Sequence, residues 1–422
     1  MDKKPKKMVP EVRFKGFTDD WEQRKFLDSI DGIIDYRGKT PKKIGLQWSD
    51  QGYLALSALN VKDGWIDKNS PDSHYGNNEL YEKWMKNTPL YRGQVVFTTE
   101  APMGNVAQIP DNNKYILSQR TIAFVPKKEL NDDFLAVLLS TRKVQLRLKS
   151  LSTGGTATGI SQKSLKFLNV MLPNTDEQTK IQLLNHKVTK LLSLQQKKLE
   201  QLKLLKKAML QQLFVSDKNN LVPNIRFKGF MYPWKQQKLG DVGKTQSGIG
   251  FPNKEQGGQQ GIPFFKVSDM NNNENEFEMK DANNYVTETQ ITNRKWKPIS
   301  EVPALIFAKV GAALMLNRKR LVNVPFLIDN NTMAYIFSKE WNPHFGKNLF
   351  DTLNLPRYAQ TGALPSFNGS DIENIEVMLP SLKEQHVISQ FFKNINYLIT
   401  LHQRKIHTLS NLKKFCLQKM FI

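Results

Sequence analysis

The amino-acid sequence predicts an α+β chain. Two α/β globules with mixed β-sheets stand in tandem, each followed by one long α-helix, and the two helices are partners for each other. Three observations predict this: two stretches of about forty residues without glycine or proline, a constant offset that maps one stretch onto the other, and a second repeated segment ahead of each globule.

The first stretch is Thr175–Phe214. Ile181, Leu184, Val188, Leu191, Leu202, Leu205 and Met209 recur at spacings of three and four, the stripe of an amphipathic helix. Pro173 precedes it, and Thr175 or Asp176 is expected as N-cap. At 1.5 Å per residue the helix runs ~60 Å. One apolar stripe cannot stabilise such a helix alone, so a partner is required. Ser381–Phe421 supplies it, since an offset of 207 brings Glu177-Gln178 onto Glu384-Gln385 and the stripe onto Ile388, Phe391, Ile395, Leu398, Leu409, Leu412 and Cys416. Both helices follow the same tripeptide, Met171-Leu172-Pro173 and Met378-Leu379-Pro380. An internal duplication of this kind decides the architecture.

Each globule opens on a repeat as well. Arg13-Phe14-Lys15-Gly16-Phe17 and Trp21 return as Arg226-Phe227-Lys228-Gly229-Phe230 and Trp234. The aromatic residues are expected to anchor this segment to the core. Three strands match across the copies: Tyr53–Leu56 with Ile262–Val267, Gly93–Thr98 with Ala304–Ala308, and Thr121–Val125 with Thr332–Phe337. Helices are expected over Asp132–Lys149 and Pro343–Leu353, then turn-rich loops over Ser152–Gly159 and Gln360–Pro365. The boundaries are 1–173 and 222–380 for the globules, 174–214 and 381–422 for the helices, and 215–221 for a polar linker. Frame segments resemble each other, whereas interiors 25–150 and 238–350 do not, which suggests two recognition tasks on one duplicated scaffold.

Sixty-one basic side chains against thirty-nine acidic ones give a net charge of +22, which points to a polyanion, with nucleic acid before an anionic membrane. The single cysteine, Cys416, lies on the apolar stripe and excludes an internal disulfide. No secretory signal follows the charged N-terminus, and Val302–Leu316, broken by Lys309, is too short to span a bilayer. The expected location is the cytoplasm.

Catalytic motifs fail in turn. Gly243-Lys244-Thr245 and Gly38-Lys39-Thr40 lack the first glycine of a phosphate loop, Gly32 standing one residue too far. Pro110-Asp111 with Lys114 has no second acidic strand of a nuclease, and Asn342-Pro343-His344-Phe345 lacks the second proline of an adenine methyltransferase loop. Histidines 74, 186, 344, 386, 402 and 407 show no metal-ligand spacing. The chain is expected to be no enzyme and to bind no metal.

The duplicated order of RFKGF…W, globule and LP…EQ helix resembles the specificity subunit of a type I restriction–modification system, from Val9 to Phe421. The resemblance implies that each globule is a target recognition domain reading one half of a split double-stranded DNA sequence, and that the two long helices pack as an antiparallel coiled coil, which gives the chain pseudo-two-fold symmetry. It implies that the chain does no chemistry and binds no cofactor. Two methyltransferase subunits and the restriction subunits are its implied partners, with S-adenosylmethionine, ATP and Mg bound there. Two half-sites about one turn apart need centres ~34 Å apart, which a helix pair of this length can hold open.

Base and phosphate contacts need basic or amide groups on groove-facing loops. The expected DNA-binding residues are Arg37, Lys39, Lys42, Lys43 and Thr156 in the first globule. In the second they are Lys244, Gln246, Lys254, Arg318, Lys319 and Arg320. Gln195 and His402 interrupt the apolar stripes and are expected to set helix register; the alternative is that they turn outward while Leu194, Leu199, Leu401 and Ile406 fill the seam. Two other functions fit part of the pattern: a stand-alone DNA-modifying enzyme with two recognition domains, and a basic coiled-coil scaffold without DNA specificity.

Overall fold

The computed structural model describes residues 8–154, 158–215, 220–360 and 364–422. The chain forms two compact units, one of residues up to Gln195 with Lys405–Ile422, the other Gln196–Arg404. Each long helix therefore contributes to both.

In the first unit, β1 (Glu22–Lys25) pairs antiparallel with β11 (Asn169–Leu172), the strand that leads into the long helix. The main sheet runs β2 (Ile30–Asp35), β10 (Thr121–Pro126), β7 (Val95–Thr98), β8 (Val106–Gln108), all antiparallel. A smaller sheet runs β6 (Tyr75–Gly76), β3 (Tyr53–Leu56), β9 (Ile116–Leu117), with β3 and β9 parallel. A hairpin of β4 (Val61–Lys62) and β5 (Trp65–Ile66) turns at Asp63-Gly64, where Gly64 has φ 85°, a left-handed position suited to glycine. Helix α1 (Asn78–Met85) lies within the connections; α2 (Asp132–Leu139), α3 (Arg142–Leu151) and α4 (Gln162–Leu165) precede β11. The single helix expected over Asp132–Lys149 is thus two. Ser140 Oγ bonds back to Ala136 O at 2.8 Å, and Thr141 Oγ1 accepts from Val144 N and starts the next helix, so local side-chain bonds compete with helix continuation.

The second unit repeats this topology on an unlike sequence. β12 (Lys235–Lys238) pairs with β21 (Glu376–Leu379) in the register of β1 and β11. The main sheet is β13 (Gly243–Ser247), β20 (Thr332–Phe337), β17 (Ala304–Ala308), β18 (Lys319–Val322), extended by β15 (Glu278–Met279). The smaller sheet is β16 (Tyr285–Val286), β14 (Ile262–Phe265), β19 (Leu327–Ile328), its second pair again parallel. Helices α6 (Glu288–Arg294), α7 (Ala312–Met315), α8 (Pro343–Thr352) and α9 (Gly369–Glu373) complete it. The strand expected over Ile262–Val267 ends at Phe265, and a short 3-10 turn begins at Val267. β17, Ala-Leu-Ile-Phe-Ala, is buried at every position, as a central strand covered on both faces requires.

Lys319, expected to touch DNA, is buried in this core at 2 % exposure. Its ammonium donates to Leu353 O and Asn317 Oδ1, each at 2.8 Å. Burial pushes it down to about 7. Arg320 on the same strand is half-buried and donates to the backbone oxygens of Asn275 and Lys319. These two side chains brace the fold and are withdrawn from the DNA-contact set.

The long helices are α5 (Thr175–Gln212) and α10 (Leu382–Lys419). Neither Thr175 nor Asp176 caps α5; Asn174 Oδ1 accepts from Glu177 N at 2.9 Å, and Ser381 Oγ does the same for Glu384 N at 3.4 Å. Glu177, buried at 1 % exposure, takes a bidentate bond from Arg13, both distances 2.8 Å, and a third from Trp21 Nε1 at 3.2 Å. Arg226 grips Glu384 in the same way, both distances 2.7 Å. Gln178 and Gln385 each donate to the proline carbonyl before the helix and accept from the N-cap residue of α2 or α8, Asn131 or Asn342.

In the first unit the start of α5, Ile181 and Leu184, packs with the end of α10, Cys416 and Leu417. In the second, Met209 and Leu210 pack with Ile388, Phe391 and Phe392. The helices therefore run antiparallel. Phe214, which follows the first globule's helix, enters the second globule's core, stacked on Phe345 at 5.2 Å and edge-on to Trp234 at 6.3 Å. Phe421, its match, enters the first core against Phe134 at 5.8 Å and Trp21 at 5.9 Å. The inward stripe has a period of seven: Ile181, Val188 and Leu202 are buried and Met209 half-buried; Ile388 and Ile395 are buried, Leu409 and Cys416 half-buried. A period of seven is that of helices wound about each other. Leu191, Leu205, Leu398 and Leu412, expected in the same stripe, are 39–45 % exposed.

Removing one partner of a buried ion pair strands the other charge. Arg13→Ala is expected to destabilise the first unit by about 3 kcal/mol, read in urea unfolding; an unchanged midpoint would show the clamp to be idle. Lys319 is a cation held low when folded, near 7 against about 10.4 unfolded. Between those values the unfolded chain holds more protons, so the second unit gains stability as pH rises from about 7 to about 10. Lys319→Met is expected to raise its melting temperature at pH 7 and flatten that rise, checked by thermal scans across the range. Lys206, pushed down by burial to about 8, leaves the smaller slope that remains.

Candidate nucleic-acid interface

The strand pairings fix one end of each main sheet. In the first globule, Asp35, Thr98, Val106 and Thr121 stand together there, through the pairs Ile122↔Asp35, Thr121↔Thr98 and Phe97↔Val106. The loop leaving β2 carries Arg37, Lys39, Lys42 and Lys43, so the structure brings these four expected residues together. Pro41–Ile44 forms a 3-10 turn closed by Gly45 at φ 75°. Lys39 Nζ lies 5.1 Å over the Tyr36 ring, Lys43 Nζ donates to Gly38 O at 2.5 Å, and Lys39, Lys42 and Lys43 are all exposed.

Arg37 differs from the lysines. Its guanidinium is bidentate on Asp35 and also donates to Ile160 O at 3.3 Å. Burial raises the Asp35 carboxyl, but the hydrogen bonds from Arg37 and Gln162 outweigh it and hold the group below its ordinary value. Arg37 is thus a brace between β2 and the loop before α4. Thr156 lies outside the described residues. The flanks of its loop clasp the loop after β7: Thr153 and Gly159 exchange backbone bonds at 2.9 Å, and Ile160 N donates to Thr99 O at 2.9 Å. Arg120, at φ 64° and ion-paired to Glu100 at 3.4 Å, belongs to the same end. No motif marks Arg120 in the sequence; strand register alone brings it there.

The second globule builds the same end from other residues. Ser247, Ala308, Lys319 and Thr332 meet through Ser247↔Met333, Ala308↔Thr332 and Phe307↔Lys319. The loop leaving β13 holds a 3-10 turn, Asn253–Glu255, with Lys254 exposed. Lys244 and Gln246 lie on edge strand β13 itself, two residues apart and so on one face. Lys244 is paired with Glu301 at 2.6 Å. The clasp recurs: Gln360 N donates to Ser366 O at 2.8 Å and Phe367 N to Lys309 O at 3.2 Å. Lys309 Nζ bonds Ser247 Oγ at 3.1 Å, a cation at this end that the sequence marked only as a break in an apolar run. Arg318 is half-buried and bonds the Asn271 side chain.

Gln195 and His402 are both half-buried, each takes part in an interaction, and each occupies the inward heptad phase of its helix. Leu199 is buried and Leu194 is 52 % exposed. Among the described residues, no three His, Cys, Asp or Glu side chains gather as a metal site.

Known proteins share this construction. The pattern of the type I restriction modification DNA specificity domain matches twice, over residues 19–204 and 231–411. The specificity subunit of the type I restriction enzyme MjaIX of Methanocaldococcus jannaschii is 26 % identical over 372 residues, 82 % of this chain and 81 % of that one. The crystal structure of the S subunit of a type I restriction–modification system from M. genitalium superposes with a TM-score of 0.64 at 16 % identity, covering 98 % of this chain and 99 % of the other. A structure from work on complex assembly and conformational transition of a type I system gives 0.53 at 15 % identity, over 95 % and 97 %. With two such domains spanning most of its length, the chain belongs to the type I restriction–modification DNA specificity family and is a specificity subunit with two tandem recognition domains.

Proposed function

We propose that this chain is the DNA-reading, non-catalytic part of a methyltransferase and restriction complex in the cytoplasm, each globule reading one half of a split double-stranded target. The observation that carries this is one topology built twice, ending at the same place in basic loops of unlike sequence. Lys39, Lys42 and Lys43 follow the edge strand of one sheet; Lys254 follows the matching edge strand of the other, with Lys244 and Gln246 on it. Arg318 adds a cation at the second globule's end. Phosphate contacts from such lysines hold register, and neighbouring amides and backbone read base edges. The run of helix between the globules sets how many bases go unread.

Partners follow from a second repeat. Leu184, Leu191, Lys198 and Leu205 match Phe391, Leu398, Lys405 and Leu412 under the same offset. In both helices the middle of this phase is turned outward, with its four central leucines 39–45 % exposed, while Leu184 and Phe391 at its start pack against the globule cores. Duplicated apolar stripes beside duplicated buried ones suit two copies of one helical partner, the methyltransferase subunit. S-adenosylmethionine, ATP and Mg would be held by the methyltransferase and restriction subunits.

Mapping adenine methylation in cells with and without the gene tests the reading: a split motif should vanish with the gene, and an unchanged methylome would overturn it. In the assembled methyltransferase, Lys39→Ala, Lys42→Ala and Lys43→Ala together should lower the slope of log affinity against log salt by about two to three; an unchanged slope would remove this loop from the interface. Leu191→Lys with Leu398→Lys should abolish copurification of the methyltransferase subunit while the melting temperature stays within a few degrees.

A further inference from the structure

The basic loop of the second globule leaves β13, one edge of its sheet. At the opposite edge, beyond β18, the segment Asn272–Met279 does something that no repeat element requires: it touches both long helices. Gln403 of α10 donates from Nε2 to Glu276 Oε2 at 2.8 Å. Lys206 of α5 sets its ammonium 4.6 Å over the ring of Phe277. Lys206 is half-buried there, and burial pushes its ammonium down to about 8.

The segment is rigid enough to act as a spacer. Asn275 is fully buried, and its side chain makes four bonds: donations to Asp269 O at 2.8 Å and Asp281 O at 2.6 Å, acceptances from Lys280 N at 2.8 Å and Asp281 N at 3.1 Å. A side-chain amide with its donors and acceptors all satisfied fixes the backbone around it. Arg320 donates to Asn275 O from β18, and β15 pairs in parallel with that strand. A continuous chain of contacts thus joins the helices to the sheet, and the sheet joins them to the basic loop.

Among the described residues, the first globule shows no copy of this device. At the corresponding edge, beside β8, stands the β4–β5 hairpin, with Trp65 55 % exposed and Leu59 46 % exposed. The residue matching Gln403 is Gln196, which bonds Glu200 along its own helix at 3.3 Å. The frame clamps are common to both copies; this strut belongs to one.

Resting on the split-target reading above, we propose that the Glu276–Gln403 and Phe277–Lys206 contacts form a one-sided strut that holds the second recognition domain at a set angle on the helices and so restricts the spacer length the complex accepts. Glu276, Phe277, Lys206 and Gln403 are positioning residues: they set where the reading loop stands, without touching a base.

The test uses the assembled methyltransferase on duplexes that keep both half-sites and lengthen or shorten the spacer by one base pair. Gln403→Glu sets two carboxylates face to face and opens the strut. The preference for the native spacer over its neighbours should fall by about tenfold, the effect of losing one hydrogen bond to a charged group, with methylation of the native spacer retained. Adding Glu276→Gln to that variant restores a donor–acceptor pair and should restore the preference, a rescue that a merely unfolded protein would not show. Trp65→Ala should leave it unchanged. A spacer preference that survives Gln403→Glu, or one that Glu276→Gln does not restore, overturns the strut; an equal loss in Trp65→Ala overturns its one-sidedness. If the unaltered complex shows no split target, the split-target reading itself has failed.

Discussion

A carboxylate buried in the first turn of a helix has to be answered, and in this chain it is answered from outside the helix. Glu177 and Glu384 stand three residues after their caps, a position where the acid commonly bonds back to the cap. Here each is taken by an arginine from the opening segment of its own globule, Arg13 or Arg226. The positive end of the helix dipole and the guanidinium both face the carboxylate. This clamp fixes where the opening segment, the strand before the helix and the helix itself meet. The same arginines also donate to Asp19 O or Tyr232 O, closing the turn that places Trp21 or Trp234 in the core.

Around that junction the two copies share the arginine clamp and the glutamine bonds, though Trp21 Nε1 donates to Glu177 and Trp234 Nε1 makes no matching bond, and beyond it they agree only in topology. Strand order, the parallel pair in the small sheet and the clasp of two loops recur, while core side chains differ. Backbone pairing depends on alternation and length, which many sequences satisfy, and cores tolerate exchange at conserved volume. The junction depends on particular donors and acceptors that have no substitutes. Divergence therefore accumulates where recognition is performed and is blocked where the frame is held.

The exchange of Phe214 and Phe421 has a consequence for the helices. Each plugs the core of the globule that its own helix does not follow, so neither unit is complete without the far end of the other's helix. The antiparallel course of α5 and α10 is thereby tied to core burial, more than to the sparse seam between them. That helps to explain how polar Gln195 and His402 sit at inward heptad positions in mid-helix, and why a seven-residue outward stripe of leucines can stay available.

The sequence by itself determined the tandem order, both long helices to within a few residues, the duplicated frame and the basic character of the loop after β2. Those features rest on local periodicity and on a repeat, and both are legible one residue at a time. Tertiary structure decided the rest. It showed that of Arg37, Lys39, Lys42 and Lys43 the arginine is a brace, because Asp35 lies two residues away in sequence but is held by Gln162, far along the chain. It buried Lys319 and engaged Arg320, since the alternation of β18 turns charge inward where carbonyls and Asn317 can receive it. It turned Leu191 and Leu398 outward, because a helix with two apolar phases does not declare which one its partner covers. Charge and spacing name the candidates; which of them face solvent depends on long-range pairing that no local pattern encodes.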